Sequence, residues 1–250
     1  FVRFNYPDFH TSDCFQEMLP VVERFVSVNG EGKNAGRLSA FIRFPGCNLS
    51  CSYCDTKWAN ASELSFELIS IENLVSFVVE SGVRHVTLTG GEPTLQPFLC
   101  DLVEVLVHTF VGEKEGLAVE IETNGSTDLH RFVDRRAAWG TAVPGTLMLT
   151  MDYKLPSSGM EDRMNTHNFL LLSSSDTVKF VASSKEDLMR MEKMIALFDL
   201  TLRTSVYVSP VFGSIEPAEI VEFMKERNLN KVTLQLQLHK IIWPECDRGV

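Results

Sequence analysis

Long apolar runs are missing: nothing in the 250-residue chain approaches the ~20 apolar residues of a membrane-spanning helix. Phe1 to His10 also lack a charged start followed by a hydrophobic stretch, so no secretory leader is read there, although the absence of an initial methionine leaves a removed signal open. Clusters of Lys and Arg are missing too. With 23 basic against 33 acidic residues and a net charge of −10, the chain is poorly suited to the phosphates of nucleic acid. A small-molecule substrate is expected, with neither nucleic acid nor membrane as partner. Cysteines number only 6; three crowd one loop, while Cys14, Cys100 and Cys246 lie far apart. That distribution excludes a disulfide framework and fits a reducing, cytoplasmic compartment. Cys100 falls in a helical apolar pattern and reads as a small buried hydrophobe. Linkers, repeats and low-complexity segments are absent, and 44% hydrophobic residues suffice for one large core.

What the chain does contain is an alternation of apolar strand-like runs with helical patterns, the mark of parallel βαβ units. The runs are 37–44, 84–89, 117–122, 147–152, 178–182, 205–209 and 232–237. Between them Leu99, Leu102, Val103, Leu106 and Phe110 share one helical face, as do Leu188, Met191, Ile195 and Phe198. Segments 71–82 and 217–228 read as further helices, the second with Pro217 at its start. The pattern predicts an α/β fold, a parallel β/α barrel or part of one, whose chemistry belongs at the C-terminal ends of the strands. Five polar motifs fall at such ends: the cysteine loop, Gly90-Gly91-Glu92-Pro93, Glu122-Thr123-Asn124-Gly125, Asp152-Tyr153-Lys154 and Ser209-Pro210-Val211-Phe212-Gly213.

The cysteine loop reads Cys47-Asn48-Leu49-Ser50-Cys51-Ser52-Tyr53-Cys54, a C-x3-C-x2-C spacing that gives three thiolates to one short loop. A cubane [4Fe-4S] cluster has four irons, so three cysteines leave one iron open to a ligand that is not protein. Structural zinc is the alternative; it wants four ligands, no second cysteine pair exists, and His85, His108 or His239 would have to complete the set. A thioredoxin-like C-x2-C would not explain Cys47. The second motif, Thr89-Gly90-Gly91-Glu92-Pro93, places two residues without side chains where backbone can approach a ligand, or simply forms a strand-to-helix turn.

Together these two motifs resemble the radical S-adenosylmethionine (SAM) enzymes, and the resemblance implies a partial, open barrel whose open iron chelates the methionine end of SAM. A narrower set of features comprises Asn29-Gly30-Glu31-Gly32, Cys54-Asp55-Thr56, Gln235-Leu236-Gln237-Leu238-His239-Lys240 and the terminal Arg248-Gly249-Val250. From about Phe25 to the C-terminus this ensemble resembles the 7-carboxy-7-deazaguanine synthase family, a lyase family of the route to 7-deazapurines such as the queuosine base. The resemblance implies ring contraction of 6-carboxy-5,6,7,8-tetrahydropterin to 7-carboxy-7-deazaguanine with loss of ammonia. SAM would act as a reusable source of a 5'-deoxyadenosyl radical, and the protein would bind, orient and shield.

Carried over residue by residue, the resemblance implies that Cys47, Cys51 and Cys54 hold the cluster. The Thr56 hydroxyl would help bind Mg2+, or would merely order the loop. Gly90, Gly91 and Glu92 would meet the methionine end of SAM, with Glu122 and Asn124 along the nucleoside and Lys154 nearby. For the pterin, Glu31 would accept its guanidine edge and Arg43 its carboxylate, with Thr89, Gln237, His239 and the terminal carboxylate of Val250 closing the pocket. Further implications are a homodimer and an external electron donor such as a flavodoxin or ferredoxin. The expected layout is a single domain over 1–250: an N-terminal lead-in and substrate-binding segment at 1–36, a core partial barrel at 37–209 and a C-terminal substrate-pocket segment at 210–250.

Asn29 stands where many relatives carry glutamine, which shortens any contact made there. The polar segment 154–168 reads as a mobile lid. Two rival readings remain: an activase that makes a glycyl radical on a partner protein, and a cluster-bearing or zinc-bearing protein without turnover.

Overall fold

The computed structural model describes residues 14–61, 63–111, 115–246 and 248–250. The reading of Phe1 to His10 lies outside them. The main sheet has eight strands: β1 (Glu23–Val28), β2 (Leu38–Phe44), β3 (His85–Gly90), β4 (Ala118–Thr123), β5 (Thr146–Tyr153), β6 (Thr177–Ala182), β7 (Ser205–Pro210) and β8 (Val232–Leu234). They lie side by side in chain order. Only β1 runs antiparallel to its neighbour, and β1 and β8 form the two edges. The sheet is an open, mostly parallel α/β barrel. Its edge strand β1 comes from the segment expected to be a lead-in.

Five helices pack on the outside: α1 (Ile71–Ser81), α2 (Leu99–His108), α3 (His130–Trp139), α4 (Lys185–Leu197) and α5 (Pro217–Glu226); the short α6 (Leu238–Ile242) follows β8. Ser70 caps α1 by accepting from Asn73 N, and Ser184 caps α4 by accepting from Asp187 N. Helix α2 stops at His108, so Phe110, expected on its apolar face, instead begins a short strand. Helix α3 packs Phe132, Val133 and Trp139 against the core, and Arg136 adds an ionic anchor by gripping the buried Asp176 with both terminal nitrogens, at 2.5 and 2.9 Å.

Residues of alternate parity face opposite sides of each strand. Ala40, Ile42, Phe44, Val86, Leu88, Val119, Ile121, Leu149, Val178, Phe180 and Val208 turn outward to the helices and form the hydrophobic core. The intervening residues face the concave side and are mostly polar: Ser39 and Arg43, Thr87 and Thr89, Glu120 and Glu122, Thr150 and Asp152, Lys179, Ser209. Deep on that side Glu120 accepts from Asn29 and Asn34, each at 3.1 Å, and from Thr150, while Ser39 and Thr87 hydroxyls bond at 2.8 Å. The barrel floor is therefore a satisfied polar network.

The segment 154–168, read from sequence as a mobile lid, is hydrogen-bonded to its neighbours, and Lys154 is its one residue bordering the cavity described below. Ser157 and Ser158 carbonyls accept from Ser52, Ser157 N donates to Asp187, and Asn165 N donates to Gly125 O. Its polar residues are engaged by neighbouring loops that the sequence places far away.

Candidate active site

The cysteine loop leaves β2 and turns at Gly46, whose φ is +81°. Gly46 N donates to Ala59 O, and Lys57 Nζ donates to Ser52 O at 2.8 Å, so the loop is pinned at both ends. Cys47, Cys51 and Cys54 border one cavity of about 660 Å³ on the concave face. Burial pushes the Cys47 and Cys51 thiols up. Their deprotonation therefore belongs to metal binding, helped at Cys47 by donors from Leu49 N at 3.4 Å and Asn124 Nδ2 at 3.6 Å. Among the described residues no three His, Cys, Asp or Glu side chains converge on a single metal ion; a cubane spreads its thiolates over separate irons. Cys246, exposed on the terminal segment, also borders the cavity, whereas Cys100 is buried in the core.

The glycine pair packs against this loop. A Cβ on Gly91 would stand 2.0 Å from Gly46 O, and one on Gly90, whose φ is +142°, would stand 2.2 Å from Phe44 O. The backbones are joined by Gly91 N to Phe44 O at 3.0 Å and Glu92 N to Gly46 O at 2.8 Å. Close approach is thus required within the protein itself, besides any approach to a ligand. Glu92 does not face the cavity. Its fully buried carboxylate accepts from Thr94 N, Thr94 Oγ1, Thr123 Oγ1 and Asn124 N, which ties the β3 and β4 ends together. Burial pushes its carboxyl up and these donors oppose the shift.

Every other residue expected at the site borders the cavity: Thr56 beside the cysteines, Gly90, Gly91 and Thr89 at the β3 end, and Glu122, Asn124 and Lys154 along β4 and β5. Glu31, Arg43, Gln237, His239 and Val250 border it as well. The Thr56 hydroxyl lies 3.6 Å from Cys54 Sγ. Arg43 Nε meets Glu23 Oε1 at 2.7 Å, and its guanidinium lies over Trp58, 5.7 Å from the ring centre. Burial, and then Glu120, push the Glu122 carboxyl up to about 7. Burial lowers the His239 pKa, with Glu31 and Asp55 acting against it.

The terminal segment is fastened over the Glu31 loop. Gln235 Oε1 accepts from Gly32 N at 2.6 Å while its Nε2 donates to Gly32 O at 3.1 Å, and Leu238 N donates to Gly30 O. A Cβ on Gly30 would lie 2.6 Å from His239 Nδ1, so any side chain there would displace the His239 ring. Arg248 sits over the Trp58 ring, 4.2 Å from its centre.

Sequence reasoning missed Lys179 and gave Asp152 no role beyond its strand-end motif. Lys179 Nζ is 2.5 Å from Glu31 Oε2 and 3.5 Å from Asp152 Oδ2, which also meets Lys154 Nζ at 3.0 Å. The signal for Lys179 was present: like Arg43, it is a cation inside an apolar strand. Asp152 Oδ1 and Asn60 Oδ1 are buried without a partner among the described residues, and both residues border the cavity. Three thiols bordering one cavity, a glycine-lined turn and unmet acceptors fit a cluster with a polar, donor-bearing ligand beside it.

The Radical SAM superfamily model matches residues 41–144, which hold the cysteine loop and the glycine motif. The fold is shared with QueE from Escherichia coli, a crystal structure with a TM-score of 0.61 and 23% identity, covering 91% of this chain and 99% of that one. A 7-carboxy-7-deazaguanine synthase from Clostridium acetobutylicum is 50% identical over 92% of this chain and 98% of its own. One from Methanospirillum hungatei is 35% identical, covering 90% and 85% respectively. The chain belongs to the 7-carboxy-7-deazaguanine synthase family of radical SAM enzymes. Membership implies a [4Fe-4S] cluster and SAM as cofactors. Among the described residues no helix is long and apolar enough to cross a membrane.

Proposed function

We propose that this chain converts 6-carboxy-5,6,7,8-tetrahydropterin to 7-carboxy-7-deazaguanine with loss of ammonia. The observation that carries the reading is one cavity bordered both by the Cys47, Cys51 and Cys54 thiols and by Glu31 and Arg43. When bound, the cluster and SAM supply the radical that removes a substrate hydrogen. The chain's own residues would do the rest. Glu31 accepts the paired donors of the guanidine edge, and Arg43 neutralises the carboxylate with the nitrogens that Glu23 does not use. Thr89, Gln237, His239 and the Val250 carboxylate shape the pocket between them. Gly90, Gly91, Asn124, Glu122 and Lys154 line the SAM side, and Glu92 braces that side from beneath. Thr56 is the candidate protein ligand of Mg2+, an ion that commonly takes few protein oxygens and several from substrate and water.

The finer assignments belong to the same proposal: a homodimer, a flavodoxin or ferredoxin as electron donor, a cytoplasmic site of action, and a single domain in which 210–250 closes the substrate pocket. The test is anaerobic incubation of reconstituted protein with SAM, a reductant, Mg2+ and the carboxytetrahydropterin. Product should form with release of ammonia and should exceed the SAM consumed. SAM cleavage that leaves the pterin unchanged would overturn the assignment and return the activase reading.

A further inference from the structure

Lys179 interrupts the apolar strand β6 with a cation on its concave face, and the residue is only 8% exposed. Four charges alternate across the cavity from there: Glu31, Lys179, Asp152 and Lys154. The register explains the middle contact, because Lys179 and Asp152 are direct partners on the parallel strands β6 and β5. Despite burial, which opposes its charge, Lys179 is held charged by Glu31 and Asp152, with its pKa above the ordinary lysine value. A buried ion pair is a poor stabiliser, and an apolar residue would serve the strand as well. The useful consequence is what the cation does to Glu31.

The backbone around Glu31 is already fixed, since Glu31 N donates to Asn29 Oδ1 at 3.2 Å and Gln235 clamps Gly32. The carboxylate is held separately: Lys179 donates to Oε2 at 2.5 Å, and Ser209 Oγ donates to Oε1 at 3.3 Å. An ionised carboxylate has about four lone-pair sites. One on each oxygen is taken, which leaves one on each for a ligand with two adjacent N–H donors.

We propose that Lys179 is a positioning residue that aims the Glu31 carboxylate at the guanidine edge of the substrate and sets pterin affinity through that carboxylate. The inference rests on the assignment of Glu31 to that edge. It is tested by anaerobic calorimetry on cluster-loaded protein, titrating the carboxytetrahydropterin and SAM separately into wild type, Lys179→Met, Lys179→Arg, Glu31→Gln and the Lys179→Met, Glu31→Gln double variant. Lys179→Met should raise the pterin Kd roughly tenfold or more and leave the SAM Kd within about twofold, and Lys179→Arg should recover most of the loss. The double variant should bind the pterin about as weakly as the weaker single variant, because both changes disable one contact. Equal loss of pterin and SAM affinity in Lys179→Met, or a double variant whose loss is the product of the two single losses, would overturn the proposal. Should Lys179→Met load less iron than wild type, Lys179→Gln replaces it under the same criteria. Wild type that fails to bind the pterin would overturn the parent reading, whereas wild-type binding with Lys179→Met unchanged would overturn only the role of Lys179.

Discussion

Arg43 and Glu23 face each other across the antiparallel pair β2 and β1, with Arg43 Nε 2.7 Å from Glu23 Oε1. The pair fixes one edge of the guanidinium, and among the described residues it is the only ion pair that Arg43 makes. Arg43→Ala should weaken binding of the carboxypterin by roughly thirty-fold or more, the scale of a lost buried charge-assisted contact. Binding of a pterin without the carboxylate should change little. Arg43→Lys should restore only part, since it lacks the planar fork. Parallel calorimetric titrations with the two pterins check this.

Changing Cys47, Cys51 or Cys54 to Ala should each abolish SAM cleavage and lower the iron and sulfide content after anaerobic reconstitution. Cys100→Ala should retain both, because that thiol is buried in the core behind the sheet. Metal and sulfide assays on the four variants read the difference.

Thr56 has two possible uses for its hydroxyl, a Mg2+ contact or the 3.6 Å approach to Cys54 Sγ. Thr56→Ala should shift the Mg2+ dependence of turnover to higher concentration while the cluster's visible absorbance stays unchanged. An altered spectrum with the same Mg2+ response would assign the hydroxyl to the cysteine loop.

Gly91→Ala should be far more damaging than Gly82→Ala. The first would force a Cβ to 2.0 Å from Gly46 O, whereas Gly82 ends α1 at φ +70° with nothing within 4 Å. A cost on the order of 3 kcal/mol or more is expected for Gly91→Ala from backbone overpacking, against about 1 kcal/mol for the left-handed conformation alone. Thermal unfolding and iron loading should fall together in Gly91→Ala.

Glu122 gives a pH-dependent prediction. Its carboxyl rises from an ordinary 4.5 to about 7 in the folded protein, so the folded state binds the proton more tightly than the unfolded chain does. The favourable contribution is complete below the unfolded value and is lost as pH rises through the folded one. Glu122→Gln should therefore raise the unfolding midpoint more at pH 8 than at pH 5, by an amount corresponding to on the order of 1 to 3 kcal/mol. Equal effects at both pH values would contradict the shift.

The parallel strands were legible because their apolar runs are local, and most observed bounds fall within a residue of the expected ones. The exception is the run 232–237, whose strand ends at Leu234: Gln235 N still donates to Val208 O at 2.9 Å while its side chain clamps Gly32. Helix α3 was not among the expected helices: its apolar contacts are few, Phe132, Val133 and Trp139, and its Arg136 pair joins Asp176, forty residues away in sequence. The hydrogen bonds of 154–168 were not legible for a similar reason, its polar groups being satisfied by Ser52, Gly125 and Asp187.

By itself the sequence determined the cysteine spacing, the glycine pair and the two-residue period that sends one set of strand residues to the core. Those features are covalent or local, and no packing is needed to read them. Only the tertiary structure decided that Glu92 turns beneath the site while Lys179 and Asp152 enter it. Which side chains meet depends on strand register and on the order of neighbours in the sheet. Lys179 reaches Glu31 because β6 and the β1–β2 turn converge on one concave face, a relation between segments that no local spacing encodes.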